Sequence, residues 1–448
     1  MRNRLPVVLF VLGLMFFAFL YGMAAGHFRL FPFKVFERAR LAADALMTSR
    51  SSTPNNQYVF DNRAGGTGVT IHDLKRAFFG YTLFTAFQDT GCSNILIDME
   101  GRTVHRWYVA FSDVWKKAPF LMHQRGDAWT NWHGKVLLAN GDLIASFVGT
   151  GFPKGYGTVR LDRQSHVVWA LPRGTHHDVH LGYDGRLYIP SLVYHTKESL
   201  RVPKMSRPDG TTVWWSRPLE EDFVLVVSAD GQVEKEISIL SALRDSPYRG
   251  LLSVTFRRTL DVAPVHDPTH LNNVELVTEA FSRKNPSIAP GDLLVSLRNM
   301  STIAVIDKHT DKVKWALVGP FVRQHDPDQL PNGNLLIYDN WGGDPKVGAS
   351  RVIEIDPLTQ RIEWCYTGTA KRPFFSKIRG SQQRLPNGNV LITEPEGGRV
   401  FEVTHDATPR IVWEYVNADP AGLGEGRVGI VIGATRYAPE DLPFLAIP

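Results

Sequence analysis

Three histidines in this chain keep the same distance from a turn. In "HGKVLLANGDLIASF", "HHDVHLGYDGRLYIP" and "QHDPDQLPNGNLLIYDN", His133, His177 and His325 each stand eight residues before the turn glycine. A looser copy, "HLNNVELV" followed after an insertion by "GDLLVSLRN", begins with His270, and the same count in "GSQQRLPNGNVLITE" lands on Gly380. The Asn-Gly and Asp-Gly pairs suit two-residue hairpin turns that need positive φ. Turn geometry does not require the histidine, so its recurrence needs another reason. Clustered histidines can bind a metal, move protons, or attack an electrophile with cationic help for the anion that forms. Two ligands from one element at close spacing, the usual mark of a transition-metal site, occur once, in "HHDVH". Arg298, in "LLVSLRNMSTIAVID", follows the inner strands of the segment that carries His270. A permanent guanidinium there repels a metal and suits a sulfate or phosphate group. Histidine with arginine therefore points to transfer of a tetrahedral anionic group.

The elements that must hold these side chains are hairpins. Beyond about residue 76 the chain has little helical period and many short β-type runs. A second hairpin type alternates with the first, in six copies such as "NILIDMEGRTVHRWY", "IAVIDKHTDKVKWAL" and "VFEVTHDATPRIVWEY". Five of the six end near a tryptophan (Trp107, Trp169, Trp315, Trp364 and Trp413), which reads as packing between neighbouring sheets. One hairpin of each type makes a four-stranded unit with a period of about 42 to 55 residues, the size of a propeller blade. The expectation is an all-β, six-bladed β-propeller over residues 76–448. Its sixth first-type hairpin is expected from both chain ends, with "GIVIGATRY" pairing with "GYTLFTAF" to shut the ring. Insertions around 193–222, 239–268 and 277–290 become loops on its faces. A residue eight positions before the first turn falls where a channel-lining strand begins. Several blades therefore aim their histidines at one small volume.

The rest of the chain narrows the setting. Its 448 residues, 43% of them hydrophobic, are ample for a large core, and a net charge of +5 with pI near 9.1 is mild. No basic run is interleaved with aromatics, so the surface does not read as a nucleic-acid site. Cys92 and Cys365 lie far apart without metal-ligand spacing and read as two free thiols. Residues 5–26, "LPVVLFVLGLMFFAFLYGMAAG", are uncharged and long enough to cross a bilayer, so residues 1–26 read as a transmembrane anchor, with a cleaved signal peptide as the alternative. Arg2 and Arg4 favour a cytoplasmic N-terminus. Residues 27–75 read as a short connecting helix, "FKVFERARLAADALM", followed by a polar linker.

Taken together, "GYTLFTAF", "ILIDMEGRTVHRW", "HHDVHL", "HLNNVELV" with "VSLRNMSTIAVID", "QHDPDQLPNGNLLIYDN" and "GSQQRLPNGNVLI" resemble the bacterial arylsulfate sulfotransferases and the wider arylsulfotransferase-like group. The resemblance covers roughly residues 78 to 437 and implies a six-bladed propeller, in agreement with the repeat count. It also implies sulfuryl transfer from one phenol ester to another phenol through a sulfated histidine, without a nucleotide sulfate donor. The family's nucleophilic histidine precedes a strand ending in "DN", which His325 matches through Asp339 and Asn340. His270 before "LNN" and Arg298 in "SLRNMS" match a further histidine and an arginine of the family. The "HHD" motif supplies the last member, at His177 with His176 as the alternative. The likeness implies that these three groups hold the sulfuryl oxygens as charge builds. His133 has no counterpart in that set and reads as structural. The best-known relatives also carry a sizeable N-terminal β-domain and a disulfide, whereas this chain has an anchor, about fifty further residues and two distant cysteines.

A competing reading is a membrane-tethered propeller that binds a partner or ligand without catalysis. The set of His270, Arg298 and His325 favours the enzyme, because a scaffold gains nothing from burying cations together. A quinone-cofactor or metal-dependent propeller hydrolase would need an acidic ring to hold Ca²⁺, which the sequence does not display. The expected partners are an aryl sulfate, a phenol and, through the N-terminal helix, a membrane. No cofactor, metal or nucleic acid is expected, and the sequence points to no protein partner. The expected location is the inner membrane, with one pass and the propeller facing the periplasm or cell exterior. A nucleophilic imidazole of ordinary basicity predicts activity that declines below about pH 6.

Overall fold

The computed structural model describes residues 5–28, 31, 58–88, 91–121, 126–149, 154–195, 219–253, 267–418 and 426–446. They fall into two units, Met1–Gln57 and Tyr58–Pro448. In the first, Leu5–Phe28 is an α-helix of 24 residues without a single Asp, Glu, Lys or Arg. At about 1.5 Å per residue it is long enough for the roughly 30 Å of hydrocarbon in a bilayer. Its Pro6–Ala24 stretch passes as a membrane span or a signal sequence by length and composition. The expected connecting helix over residues 33–47 and the polar stretch after it lie outside the described residues.

The second unit is a six-bladed β-propeller of antiparallel sheets. Blade 1 pairs Val431–Tyr437, its innermost strand, with Tyr81–Gln88, Gly91–Ile97 and Thr103–Trp107. Blade 2 is Thr130–Leu137, Leu143–Gly149, Gly155–Leu161 and Val167–Leu171; blade 3 is His180–Leu181, Leu187–His195, Leu219–Val227 and Val233–Ser238. Blade 4 is Leu271–Leu276, Leu293–Leu297, Thr302–Ile306 and Val313–Val318; blade 5 is His325–Gln329, Leu335–Asp339, Arg351–Ile355 and Ile362–Thr367. Blade 6 is Ser381–Arg384, Val390–Glu394, Arg399–Val403 and Ile411–Val416. The innermost strands touch their neighbours around the axis, directly or, between blades 3 and 4, through Leu187–His195.

Each middle strand is covered on both faces, which is why these strands read as continuous apolar runs rather than alternating ones. Every residue of Leu293–Leu297, Thr302–Ile306 and Leu335–Asp339 is buried. Successive side chains point to opposite faces. Leu294, Ile303 and Val305 therefore meet Leu335, Ile337 and Ile353 of blade 5, while Leu293 and Val295 meet Val224 and Val226 of blade 3. Six such clusters occupy the six blade interfaces. The repeated tryptophans tie them together. The indole nitrogens of Trp107, Trp169, Trp364 and Trp413 donate to carbonyls of Gly141, Ala229, Asp406 and Met99, each in a turn of the next blade, at 3.0 to 3.1 Å. Trp315 packs edge-on against Phe281 instead, with ring centroids 5.9 Å apart.

Ring closure follows the expected pairing, with Val431 opposite Ala86 and Tyr437 opposite Tyr81. The boundary expected at residue 76 shifts to Tyr58. Val59–Asp61 pairs with Arg427–Gly429, and Gly68–His72 adds a fifth strand outside Ile411–Val416. "YVFDNRAGGTGVTIH" holds β-type residues, but its glycines and polar residues hid those strands within an apparent linker. The insertions are partly regular too. Ile239–Arg244 and Glu279–Lys284 are short helices, each capped by the serine or threonine ahead of it.

One buried ion pair spans the closure. Arg436 of the innermost strand of blade 1 meets Glu402 of blade 6 at 2.5 Å, both fully buried, and lies 4.2 Å from the Trp413 ring centroid. Removing one partner of a buried pair strands the other charge, at about 3–5 kcal/mol. Arg436→Met is therefore expected to lower the unfolding free energy by about that much, and the added Glu402→Gln change to recover part of it. Denaturant titration of the two variants checks this, and an unchanged midpoint for Arg436→Met would show that the pair does not lock the ring.

Candidate active site

Five blades bring a basic side chain to the same end of the axial channel, at or just before the start of the innermost strand in blades 3 to 6 and within Thr130–Leu137 in blade 2. These are His133, His177, His270 and His325 of blades 2 to 5, and Arg379, two residues ahead of Ser381 in blade 6. The backbone is irregular at each place. The ladder slips after His133, after Leu271 and after His325. His177, His270, Asp326 and Arg379 hold φ between 50° and 62°, a left-handed conformation that most side chains avoid. Such irregularities re-aim side chains and gather at functional sites. Gly134 shows how tightly the strand starts are packed. A Cβ there would sit 2.3 Å from the backbone of Asp178, and its amide donates to the His177 carbonyl at 2.7 Å. A cavity of about 1160 Å³ runs along the axis, lined by His133, His177, His325 and Arg379 and, further along the same strands, by Asp178, Glu275, Asp326 and Asp328.

The protonation of His325 follows from its neighbour. Its Nδ1 lies 2.7 Å from Asn340 Oδ1. The Asn340 amide nitrogen donates to the carbonyls of Ser376 and Arg379 at 2.9 and 2.8 Å, so its oxygen must be the group that faces the ring. An amide oxygen only accepts. Nδ1 therefore carries the proton and Nε2 keeps its lone pair, the form a nucleophile needs. Burial, and next the charge of Arg298, hold the imidazole well below its ordinary pKa, so it is neutral at neutral pH. Asp339 braces the same corner by accepting from the amides of Val322 and Gly342 and from Arg351.

Arg298 begins a short 3₁₀ turn after Leu293–Leu297, and its amide donates to the His270 carbonyl at 3.1 Å. Its guanidinium donates to Asn299 Oδ1 at 3.1 Å and forms no ion pair among the described residues. Burial, then the charge of Arg323, push its pKa down to about 10, which leaves it charged at neutral pH. The His177 ring lies 4.9 Å from that of His270 and 5.4 Å from that of His133. His176 stands behind it, Nδ1 to Nδ1 at 2.7 Å, with its Nε2 3.4 Å from Asp222, so of the two adjacent histidines His177 faces the cavity. His133, set apart in the sequence reading, lines the same cavity, and its buried Nε2 has no hydrogen-bond partner among the described residues. Burial lowers the pKa of His133, His177 and His270, the last to about 4. In the unliganded chain these rings are therefore neutral donors and acceptors, and an anion bound among them would draw protons onto them.

Sequence reasoning missed two features. Arg379 was one residue from the count that landed on Gly380, and its placement depends on the left-handed backbone there. The channel also has the acidic lining that the sequence did not display. Asn273 Nδ2 bridges Asp178 and Asp326 at 3.2 and 3.4 Å, while Gln382 and Gln329 reach Asp328 and Glu275 at 3.1 and 3.0 Å. Burial raises Asp178 to about 6 and Glu275 to about 7, and lifts Asp326 and Asp328 well above the usual range. Among the described residues no group of three His, Cys, Asp or Glu side chains is arranged to bind an ion.

A family model described as arylsulfotransferase (ASST) matches residues 134–418. The chain belongs to the arylsulfotransferase family. No match is found among curated proteins. Among solved structures, this arylsulfotransferase-family chain is similar to a protein of unknown function from Bacteroides caccae, at 12% identity and TM-score 0.45, over 78% of this chain and 99% of that one. It is also similar to a streptogramin B lyase, at 12% identity and TM-score 0.39, over 80% and 87%. AztD from Citrobacter koseri matches at 10% identity and TM-score 0.36, over 80% and 99%. His177, His270, Arg298 and His325 all lie within the matched range.

The tautomer of His325 is directly measurable. In ¹⁵N-histidine NMR of the unliganded protein, the resonance lost in His325→Ala should show a protonated Nδ1 and a bare Nε2 at pH 7. Asn340→Leu should turn it into a mixture. A protonated Nε2 in the parent protein would contradict the assignment.

Proposed function

We propose that this chain is a membrane-anchored arylsulfotransferase that moves a sulfuryl group from a phenolic sulfate ester to a second phenol through a sulfohistidine at His325. The observation that carries the reading is the Asn340 contact, which leaves Nε2 of a buried, neutral imidazole free near the guanidinium of Arg298, which has no ion pair among the described residues. Family membership supports an aryl sulfate and a phenol as the substrates. In the first half-reaction, His325 Nε2 attacks sulfur, the bond from sulfur to the aryl oxygen breaks, and the phenolate leaves. Charge builds on the sulfuryl oxygens and the departing oxygen, where Arg298 stabilises it together with His177 and His270, the latter once the bound anion has drawn a proton onto its Nε2. In the second, an acceptor phenol loses its proton as its oxygen attacks sulfur, and the electron pair of the N–S bond returns to Nε2. Donor and acceptor react in turn, which gives ping-pong kinetics. The helix Leu5–Phe28 supports attachment to a membrane. With Arg2 and Arg4 ahead of it, the reading puts the propeller on the outer side of the inner membrane.

Donor alone should leave an acid-labile sulfuryl adduct on His325, visible by intact mass, while His325→Ala should lose both adduct and transfer. Arg298→Ala should cost roughly 10²-fold or more, as for one preorganised oxyanion donor. Full transfer by His325→Ala would end this reading.

The depressed basicity of His325 also sets the pH profile. A nucleophile works unprotonated, and a lowered pKa keeps it unprotonated further into acid. The decline expected below about pH 6 for an ordinary imidazole should therefore move to lower pH. A kcat/KM profile that already falls through pH 6–7 would contradict a buried neutral nucleophile.

A further inference from the structure

His270 has an environment unlike that of the other site histidines. Its Nδ1 is in close contact with Asp267 Oδ2, and Lys154 Nζ, 3.4 Å from the same nitrogen, also sits on that carboxylate. Lys154 reaches Glu220 as well, at 2.9 Å. An ammonium only donates and a carboxylate only accepts. The proton on Nδ1 therefore points to Asp267, and Nε2 is a bare lone pair.

We propose that Asp267 and Lys154 are positioning residues that hold His270 as the general base for the acceptor phenol. The inference rests on the sulfotransfer reading and deepens it. The two residues act in opposite directions. Asp267 alone would favour an imidazolium, which has no lone pair to offer; Lys154 takes up much of the carboxylate's charge and keeps the ring neutral. Among the described residues, the other charged or titratable groups around the ring are Arg298, His177, His325 and Glu220. Asp222 lies behind the strand, where it accepts from the Leu271 amide and Thr269. Burial outweighs Asp267 and leaves His270 titrating at about 4 in the unliganded chain. Once His325 carries the sulfuryl group, its negative charge makes His270 more basic, at the step that needs a base. The phenolic O–H bond then breaks with its proton passing to His270 Nε2. The phenol oxygen bonds to sulfur, the N–S bond breaks, and its pair returns to His325. The proton on His270 next passes to a departing phenolate or to water.

The test uses the full chain in detergent. ¹⁵N-histidine NMR, with His270 assigned through His270→Gln, should show a protonated Nδ1 and bare Nε2. Lys154→Met should raise the His270 pKa by about one unit or more. Should Lys154→Met fail to fold, Lys154→Met with Glu220→Gln gives the same reading. Asp267→Asn should lose about 10-fold more turnover with weakly acidic phenols than with nitrophenols, because a base matters most where the proton is held hardest. A protonated Nε2 in the parent protein, an unmoved titration in the Lys154 variants, or equal losses for all acceptors would overturn the proposal. Absence of any sulfuryl adduct in the parent protein would instead overturn the sulfotransfer reading itself.

Discussion

The site exists only because the ring is shut. Val431–Tyr437 crosses from the C-terminal end of the chain to pair with Tyr81–Gln88, and every other blade keeps its place around the axis as a consequence. Each blade is a run of local hairpins, whereas the closure joins residues some 350 positions apart. Loop-closure entropy grows only with the logarithm of loop length, so this costs far less than the span suggests. Val59–Asp61, Gly68–His72, the Arg436–Glu402 pair and the Trp413 indole all act at the same seam. Without the seam, His133 in blade 2 and Arg379 in blade 6 would have no shared axis.

Burial and charge oppose each other at the channel mouth, and burial prevails. Four imidazoles lie beside Arg298 and Arg379, yet desolvation keeps His133, His177, His270 and His325 neutral. A neutral ring is what an attacking nitrogen requires, so the same burial that costs stability prepares the nucleophile. The guanidiniums cannot discharge in this way. Among the described residues Arg298 has no carboxylate of its own, which leaves its charge available to an anion. Further down the channel burial acts in the opposite sense on the carboxyls of Asp178, Glu275, Asp326 and Asp328 and makes each of them hold its proton more tightly than an exposed carboxyl. The channel is thus much less charged than its residue types suggest.

Much of the architecture was legible in the chain. Apolar runs bounded by Asn-Gly and Asp-Gly turns, with a tryptophan recurring in the fourth strand, specify hairpins and their stacking through local rules of turn and pleat. The eight-residue count placed His133, His177 and His325 at equivalent points of three blades, and the looser copy added His270, because equivalent positions in a repeat are equivalent positions in a ring. Arg379 escaped it because a left-handed residue ahead of Gly380 shifts the basic group by one position. The strands within residues 58–75 escaped it because their partners lie at the far end of the chain.

The sequence by itself determined the repeat, the blade number, the anchor-like helix and the residue types at the channel mouth, since all of these follow from periodicity and composition. The tertiary structure decided what those residues are able to do. Which nitrogen of His325 is free depends on Asn340, whose own amide is turned by the carbonyls of Ser376 and Arg379 in the next blade. How basic His270 is depends on its burial, on Asp267 and on Lys154, which lies 113 residues from the Asp267 it contacts. Protonation is a property of the space around a group, of its burial and of the charges that face it. That space is assembled only when distant parts of the chain come together.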